Sequence, residues 1–301
     1  MECILIFTRF IKSLSACMQH KFPLIAVNGV IGAQVSPLDR GFAYGDGVFE
    51  TCRMINAKIP LWDFHKERLL NSCEKLSIKV ELQLIQTQLD DLISSLGADD
   101  LNATIKITIT RGQGGRGYNV PNDVSPTIVI GVFAAASFPE YYFSKGVSTQ
   151  ICKLRLSRSQ YLAGLKHLNR LEQILARAEW NDENIAEGIL FDTHNYLVEG
   201  VFSNIFLVKN SELFTPDLSE SGVAGVMRRV IVENIAPELA IKTHIGRYEL
   251  QDLINADEVF LCNSNYGIWP VREILMEQPK GFIAGDITRE LQTHLSKIFV
   301  S

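Results

Sequence analysis

The sequence predicts an α+β protein of two domains. Three observations predict it. Strand-like and helix-like periods interleave along the chain. Its 301 residues, 47% hydrophobic and 21% charged, are enough to bury two cores. One aperiodic stretch, 138–145, contains Pro139 and divides the pattern near its middle. The organisation read from these is an N-terminal extension at 1–20 with no assigned role, a small α/β domain at 21–138, an interdomain linker at 139–145 and a large domain at 146–301.

Residues 22–33 read as a hairpin, because apolar residues flank Asn28-Gly29, a pair that tolerates positive φ. A strand follows at 48–55. The chain then returns through Ile59, Leu61 and Trp62, and Asp63 is placed to cap a helix at 64–76 that presents Leu69, Leu70 and Cys73 at helical spacing. A second helix covers 82–96 and stops near Gly97. Residues 103–110 alternate as a strand, 111–118 form a loop, and 127–135 form a more buried strand. The second half opens with a strand at 147–154. A helix at 168–180 carries Leu168, Leu171, Ile174, Leu175 and Ala178 on one face. Strands at 188–192, 204–208, 213–215, 258–262 and 269–274 follow. Gly225 opens a helix reaching Ile235, and 287–298 is a closing helix.

A net charge of −5 leaves no basic footprint for nucleic acid. No apolar run is long enough to span a membrane. The start of the chain lacks the order of a secretory signal. Six cysteines at irregular spacing read as reduced thiols of a cytoplasmic protein rather than disulfides or a metal site.

Five segments can carry chemistry. Lys166 lies among apolar residues before a helix, where desolvation favours the neutral, nucleophilic amine. Glu199 ends an apolar strand-like run and could hold a proton on a pyridine nitrogen. Gly225 precedes a helix whose first amides can bind phosphate. Arg68 can grip phosphate with two N–H groups. In the glycine-rich loop 110–118, Arg111 or Arg116 suits a carboxylate. Taken singly, each has an ordinary reading as a solvated charge, a helix entry or a mobile loop.

Together they are more specific. LDRGFAYGDGVFET (38–51), HKERL (65–69), GLKHLNRLEQ (164–173), EGVFSNIFLV (199–208) and GVAGVMRR (222–229) occur in the order found in the fold-type-IV pyridoxal-phosphate (PLP) enzymes, the class IV aminotransferase family. The chain resembles that family from about residue 24 to its end. The resemblance implies a two-domain α+β fold like that of D-amino-acid aminotransferase, bound PLP, and a homodimer with sites near the subunit interface. RGQGGRGY and GLKHLNRLEQ resemble the branch that converts 4-amino-4-deoxychorismate to p-aminobenzoate and pyruvate in folate biosynthesis.

Carried over residue by residue, the resemblance makes Lys166 the Schiff-base lysine and Glu199 the partner of the ring nitrogen. It assigns Arg68, the Val226 and Met227 amides and Ser264 to the phosphate, and Arg116 with nearby Tyr118 to the substrate carboxylate. It places Thr51 near the reacting carbons. No metal is implied. Branched-chain enzymes carry a tyrosine five residues after the lysine to meet the ring oxygen. Leu171 stands here, leaving that contact to another group, for which Arg158 is the candidate. The alternatives are a D-amino-acid or branched-chain aminotransferase on the same cofactor, and a non-catalytic PLP-binding protein.

Overall fold

Alternation between apolar and polar residues builds the first sheet. In β4 (Ala103–Thr110) the isoleucines at 105, 107 and 109 face the core, while Lys106 faces out. The computed structural model describes residues 22–121 and 123–300, and the expectation for 1–20 lies outside that range. β4 pairs antiparallel with β3 (Gly47–Met54) and β5 (Thr127–Ala134), with Val48 opposite Ile109 and Ile105 opposite Val132. β1 (Leu24–Val27) joins β5, then turns through Asn28 and Gly29, both at positive φ, into β2 (Val30–Ile31). The order is β2-β1-β5-β4-β3, which leaves β3 at one edge.

Helices α2 (Trp62–Lys75) and α3 (Leu82–Ser94) cover one face of this sheet through Leu69, Cys73, Ile85, Leu89 and Leu92. Burying one such side chain stabilises by about 1.5–3 kcal/mol. A short helix α1 (Arg40–Tyr44) precedes β3. Residues 59–62 do not form the expected returning strand. Leu61 adopts φ 61° as the residue before α2, so the chain enters the helix two residues early. Asp63 therefore sits in the first helical turn, beside the helix's positive end and paired with Lys66, rather than capping it.

The second sheet is mixed. Its path is β11-β10-β9-β12-β13-β6-β7-β8, formed by β6 (Val147–Leu156), β7 (Ile185–Asp192), β8 (Leu197–Gly200), β9 (Asn204–Lys209), β10 (Glu212–Pro216), β11 (Thr243–Gly246), β12 (Glu258–Asn263) and β13 (Gly267–Leu275). β14 (Lys280–Gly281) pairs with β13. The stretch expected to be a linker contains a helix, α4 (Glu140–Ser144). Its Tyr142 and Phe143 meet Trp269 edge-on at 5.1 and 6.3 Å, so aromatic burial holds a segment that has little local periodicity.

The helix expected at 168–180 is shorter: α5 covers Leu171–Arg177. Leu168 stays extended because its N–H donates to Gly47 O. Leu171, Ile174 and Leu175 are 72%, 61% and 60% exposed, so this chain does not cover the apolar stripe that periodicity identified. The helix after Gly225 is present as α6 (Val226–Val230), continuing through a π turn (Ile231–Ile235) and a last turn (Ala236–Glu238). A five-residue helix α7 (Leu250–Ile254) and the closing helix α8 (Asp286–Val300) complete the domain. Among the described residues no helix is long and apolar enough to cross a membrane. Cys52, Cys73, Cys152 and Cys262 are free and buried.

Candidate active site

Backbone pairing on both sides positions Lys166. The Phe49 N–H donates to Lys166 O at 2.9 Å, and the Leu168 N–H donates to Gly47 O at 3.0 Å, which extends edge strand β3 by one short segment. On the other side, the Gly164 N–H donates to Gly222 O at 2.9 Å and the Ala224 N–H to Gly164 O at 3.1 Å. Gly164 and Gly222 sit at φ 79° and 84°, which glycine adopts without strain. Lys166 is thereby held where the two sheets meet, on the wall of a cavity of about 590 Å³. Its Nζ lies 4.3 Å from the centre of the Phe49 ring. Burial, and then the charge of Arg68, lowers this amine from 10.5 to about 8, against the opposing pull of Glu50 and Glu199. An aldehyde bonds only the neutral amine. The rate at which the unloaded protein bonds PLP should therefore rise with pH through a midpoint near 8, which stopped-flow absorbance would measure.

The period of β3 sends Phe49 and Thr51 to the cavity and Glu50 to the opposite face, toward α2. There Glu50 is 1% exposed. Its two carboxylate oxygens accept from Arg68 Nε and Nη2, both at 2.6 Å, and Oε2 lies 2.7 Å from His65 Nδ1. Burial alone would raise Glu50. Arg68 and His65 outweigh it and hold the carboxyl at about 2. Arg68 Nη1 donates to Ala224 O at 3.1 Å, so the guanidinium is oriented from both domains while still lining the cavity. Glu50, Cys52 and His65 are near enough to one another to hold a metal ion. However, Arg68 engages both Glu50 oxygens, and burial pushes the Cys52 thiol well above its ordinary value, which suits an ion pair and not a cation.

Glu199 lies one residue before the end of β8, 4% exposed, and accepts one N–H, from Val223 at 2.8 Å. Burial raises it to about 7 despite that bond and the nearby charges of Arg170 and Lys166. The turn after it is fixed by a second buried carboxylate, Glu187. This group accepts from Ser203 Oγ at 2.7 Å and from the N–H groups of Gly188, Val201 and Phe202 at 2.9, 3.0 and 3.3 Å. Gly225 must be glycine for a local reason, since a Cβ there would fall 1.8 Å from Asn204 Oδ1. Val226 and Met227 follow, buried, at the helix start. Ser264 Oγ donates to Thr51 O at 3.2 Å across the domains.

One cavity thus brings together Lys166, Thr51, Arg68, Glu199, Val226, Met227 and Ser264. Arg116 and Tyr118 are not on its wall. Both are exposed, and Tyr118 is 87% exposed with its ring 5.7 Å from that of Tyr44. Arg111 is committed elsewhere: it bonds Asp46 and the carbonyls of Leu76 and Ser77, so it serves the fold and not a substrate. Arg158 is not available for the ring oxygen either. Asp192 and Glu220 hold it, away from this cavity. Sequence reasoning missed Glu50, Glu187 and Arg170. The signal for Glu50 was its position, a carboxylate on the same side of β3 as Val48 and Cys52.

The chain matches the model of the family described as Amino-transferase class IV over residues 47–274. It is 38% identical over 274 residues to an aminodeoxychorismate lyase of Vibrio harveyi, covering 90% of this chain and 98% of that one. Its fold matches the crystal structure of a 4-amino-4-deoxychorismate lyase from Pseudomonas aeruginosa with a TM-score of 0.86 and 42% identity, over 91% of this chain and 98% of the other. A branched-chain amino acid aminotransferase from Escherichia coli matches with a TM-score of 0.80 and 26% identity, over 93% and 95% of the two chains.

Proposed function

Because the chain belongs to the class IV aminotransferase family, we propose that it is a PLP-dependent lyase that splits 4-amino-4-deoxychorismate into p-aminobenzoate and pyruvate. The observation that carries this reading is a half-buried lysine, its amine lowered to about 8, on one cavity wall with a buried carboxylate and an arginine held from both sides. That donor set fits PLP. Lys166 suits its aldehyde, Glu199 its ring nitrogen, and Arg68 with Ser264 and the Val226 and Met227 amides its phosphate. The likeness to two aminodeoxychorismate lyases, together with Leu171 in place of a tyrosine, favours the lyase over transamination.

When bound, PLP supplies an aldehyde that captures the substrate amine and a ring that draws electrons from the carbon bearing it. The protein's own groups do the rest. Glu199, made basic enough by burial to share a proton, holds one on the ring nitrogen. Lys166 Nζ, released and neutral, takes the proton from the amine-bearing carbon. The carbon–oxygen bond to the enolpyruvyl group then breaks, the ring becomes aromatic, and the departing enolpyruvate gains a proton as it becomes pyruvate. In this reading the Thr51 hydroxyl delivers that proton, a role supported by its place among the residues lining the cavity. Each positioned acid or base step of this kind contributes about 10²–10⁴-fold.

We also assign the protein to the cytoplasm and to a homodimer. Exposed Leu171, Ile174 and Leu175, with Phe42 at 77%, are apolar surface that a second copy would cover. In that assembly Arg116 and Tyr118, outside this chain's cavity, would take up the substrate carboxylate near the interface. The test of the function is incubation of the PLP-loaded protein with 4-amino-4-deoxychorismate. Equal amounts of pyruvate and p-aminobenzoate are expected. Amino transfer to a 2-keto acid without pyruvate release would make it an aminotransferase, and no turnover would make it a PLP carrier.

A further inference from the structure

Three arginines line the cavity: Arg68, Arg170 and Arg177. Glu50 holds Arg68. Arg177 donates to Trp180 O at 2.8 Å and lies 4.5 Å over the Trp180 ring. Among the described residues no hydrogen bond or ion pair engages the Arg170 side chain, and its Nε is buried. A guanidinium nitrogen buried without an acceptor is costly, so the place of this half-buried side chain on a cavity wall marks where an anionic oxygen belongs.

We propose that Arg170 binds the ring oxygen of the cofactor. This rests on the reading of the cavity as a PLP site. On PLP, the carbons flanking the aldehyde-bearing carbon carry the phosphate arm on one side and the ring oxygen on the other. Arg68 takes the phosphate side. Arg170, four residues after Lys166 at the entrance to α5, lines the same cavity as the Lys166 amine and the Glu199 carboxylate and bonds neither. With the phosphate assigned to Arg68, an unpaired cation sharing the cavity with the partners of the aldehyde and of the ring nitrogen is left with the oxygen edge. The other candidates are elsewhere. Arg158 is tied to Asp192 and Glu220, and Leu171 is 72% exposed. Burial lowers the pKa of Arg170 against the pull of Glu199 and Glu172, so an anion brought to it restores balance.

The consequence can be read without turnover. A cation at the ring oxygen stabilises its anionic form. It thereby lowers the pH at which the lysine-bonded cofactor loses the proton shared between that oxygen and the lysine nitrogen. Titrating the visible band of the PLP-loaded protein against pH, Arg170→Leu should move the midpoint up by about one unit or more, and Arg170→Lys by less. PLP content, measured on the same samples, confirms loading. A midpoint unchanged from wild type in loaded Arg170→Leu overturns the proposal. If that variant does not fold, Arg170→Gln and Arg170→Lys carry the test, and unchanged midpoints in both overturn it equally. A wild-type protein that develops no such band would instead defeat the underlying cofactor reading.

Discussion

Lys166→Ala is expected to lose the absorption band of lysine-bonded PLP and to cut pyruvate release by about ten-thousand-fold. The size follows from two losses at one atom. The amine that captures the aldehyde is gone, and so is the base that takes the carbon-bound proton. No described neighbour can replace it, since Arg68 and Arg170 keep their protons and Glu199 is needed at the ring nitrogen. Thermal melting of the unloaded variant should match wild type or exceed it. Removing a buried amine lowered to about 8 takes away a desolvation cost, and the strap around residue 166 uses only backbone groups. A variant that keeps pyruvate release within tenfold of wild type would place the reacting amine elsewhere.

The second large effect is expected from Arg68→Ala, which acts on both binding and stability. The phosphate loses charge-assisted hydrogen bonds worth about 1.5–3 kcal/mol each, so the PLP dissociation constant should rise about a hundredfold or more. Glu50, 1% exposed, also loses the cation that bonds both its oxygens, a change that typically costs about 3–5 kcal/mol. The pH dependence gives the sign. In wild type, Glu50 is held at about 2, below its ordinary 4.5. Its pairing therefore stabilises fully above 4.5 and loses its effect as pH falls toward 2. In the variant, burial acts without Arg68, so the destabilisation is largest near neutral pH and shrinks in acid as the carboxyl takes up a proton. Urea denaturation at pH 7 and pH 4 would measure this, and an equal loss at both would contradict the pairing. Arg68→Lys keeps the charge but not the two-pronged grip, and should fall between the two.

These effects follow from placements that were legible to different degrees. Strands such as 103–110 were readable to the residue because isoleucine alternation reports a half-buried sheet directly. Amphipathy at 171–175 was equally readable, but it says only that the stripe wants cover. In this chain the stripe stays exposed, and the helix itself is short because Leu168 is drawn into pairing with β3. Residues 59–62 misled for the opposite reason: Leu61 looks like strand but takes a left-handed turn.

At the site, motif order located Lys166, Glu199 and Arg68. Backbone pairing on both sides sets Lys166 on the cavity wall, bonds to Glu50 and Ala224 O orient Arg68, and strand β8 with the Val223 N–H holds Glu199. The choice between Arg158 and Arg170 could not be made from spacing. Both lie near Lys166 in the chain, and only the ion pairs to Asp192 and Glu220 show which is spent. Arg111 and Arg116 differ in the same way, since Asp46 takes one and solvent meets the other. The three missed groups share a cause. Glu50, Glu187 and Arg170 act through partners more than a dozen residues away or through having none, and no local pattern encodes that.

The most direct measurement is chemical capture. The PLP-loaded protein is reduced with borohydride, digested, and the phosphopyridoxyl group located by mass spectrometry. The label is expected on one peptide, at Lys166. A label carried by another lysine, or none after full loading, would contradict the claim that this buried amine holds the cofactor.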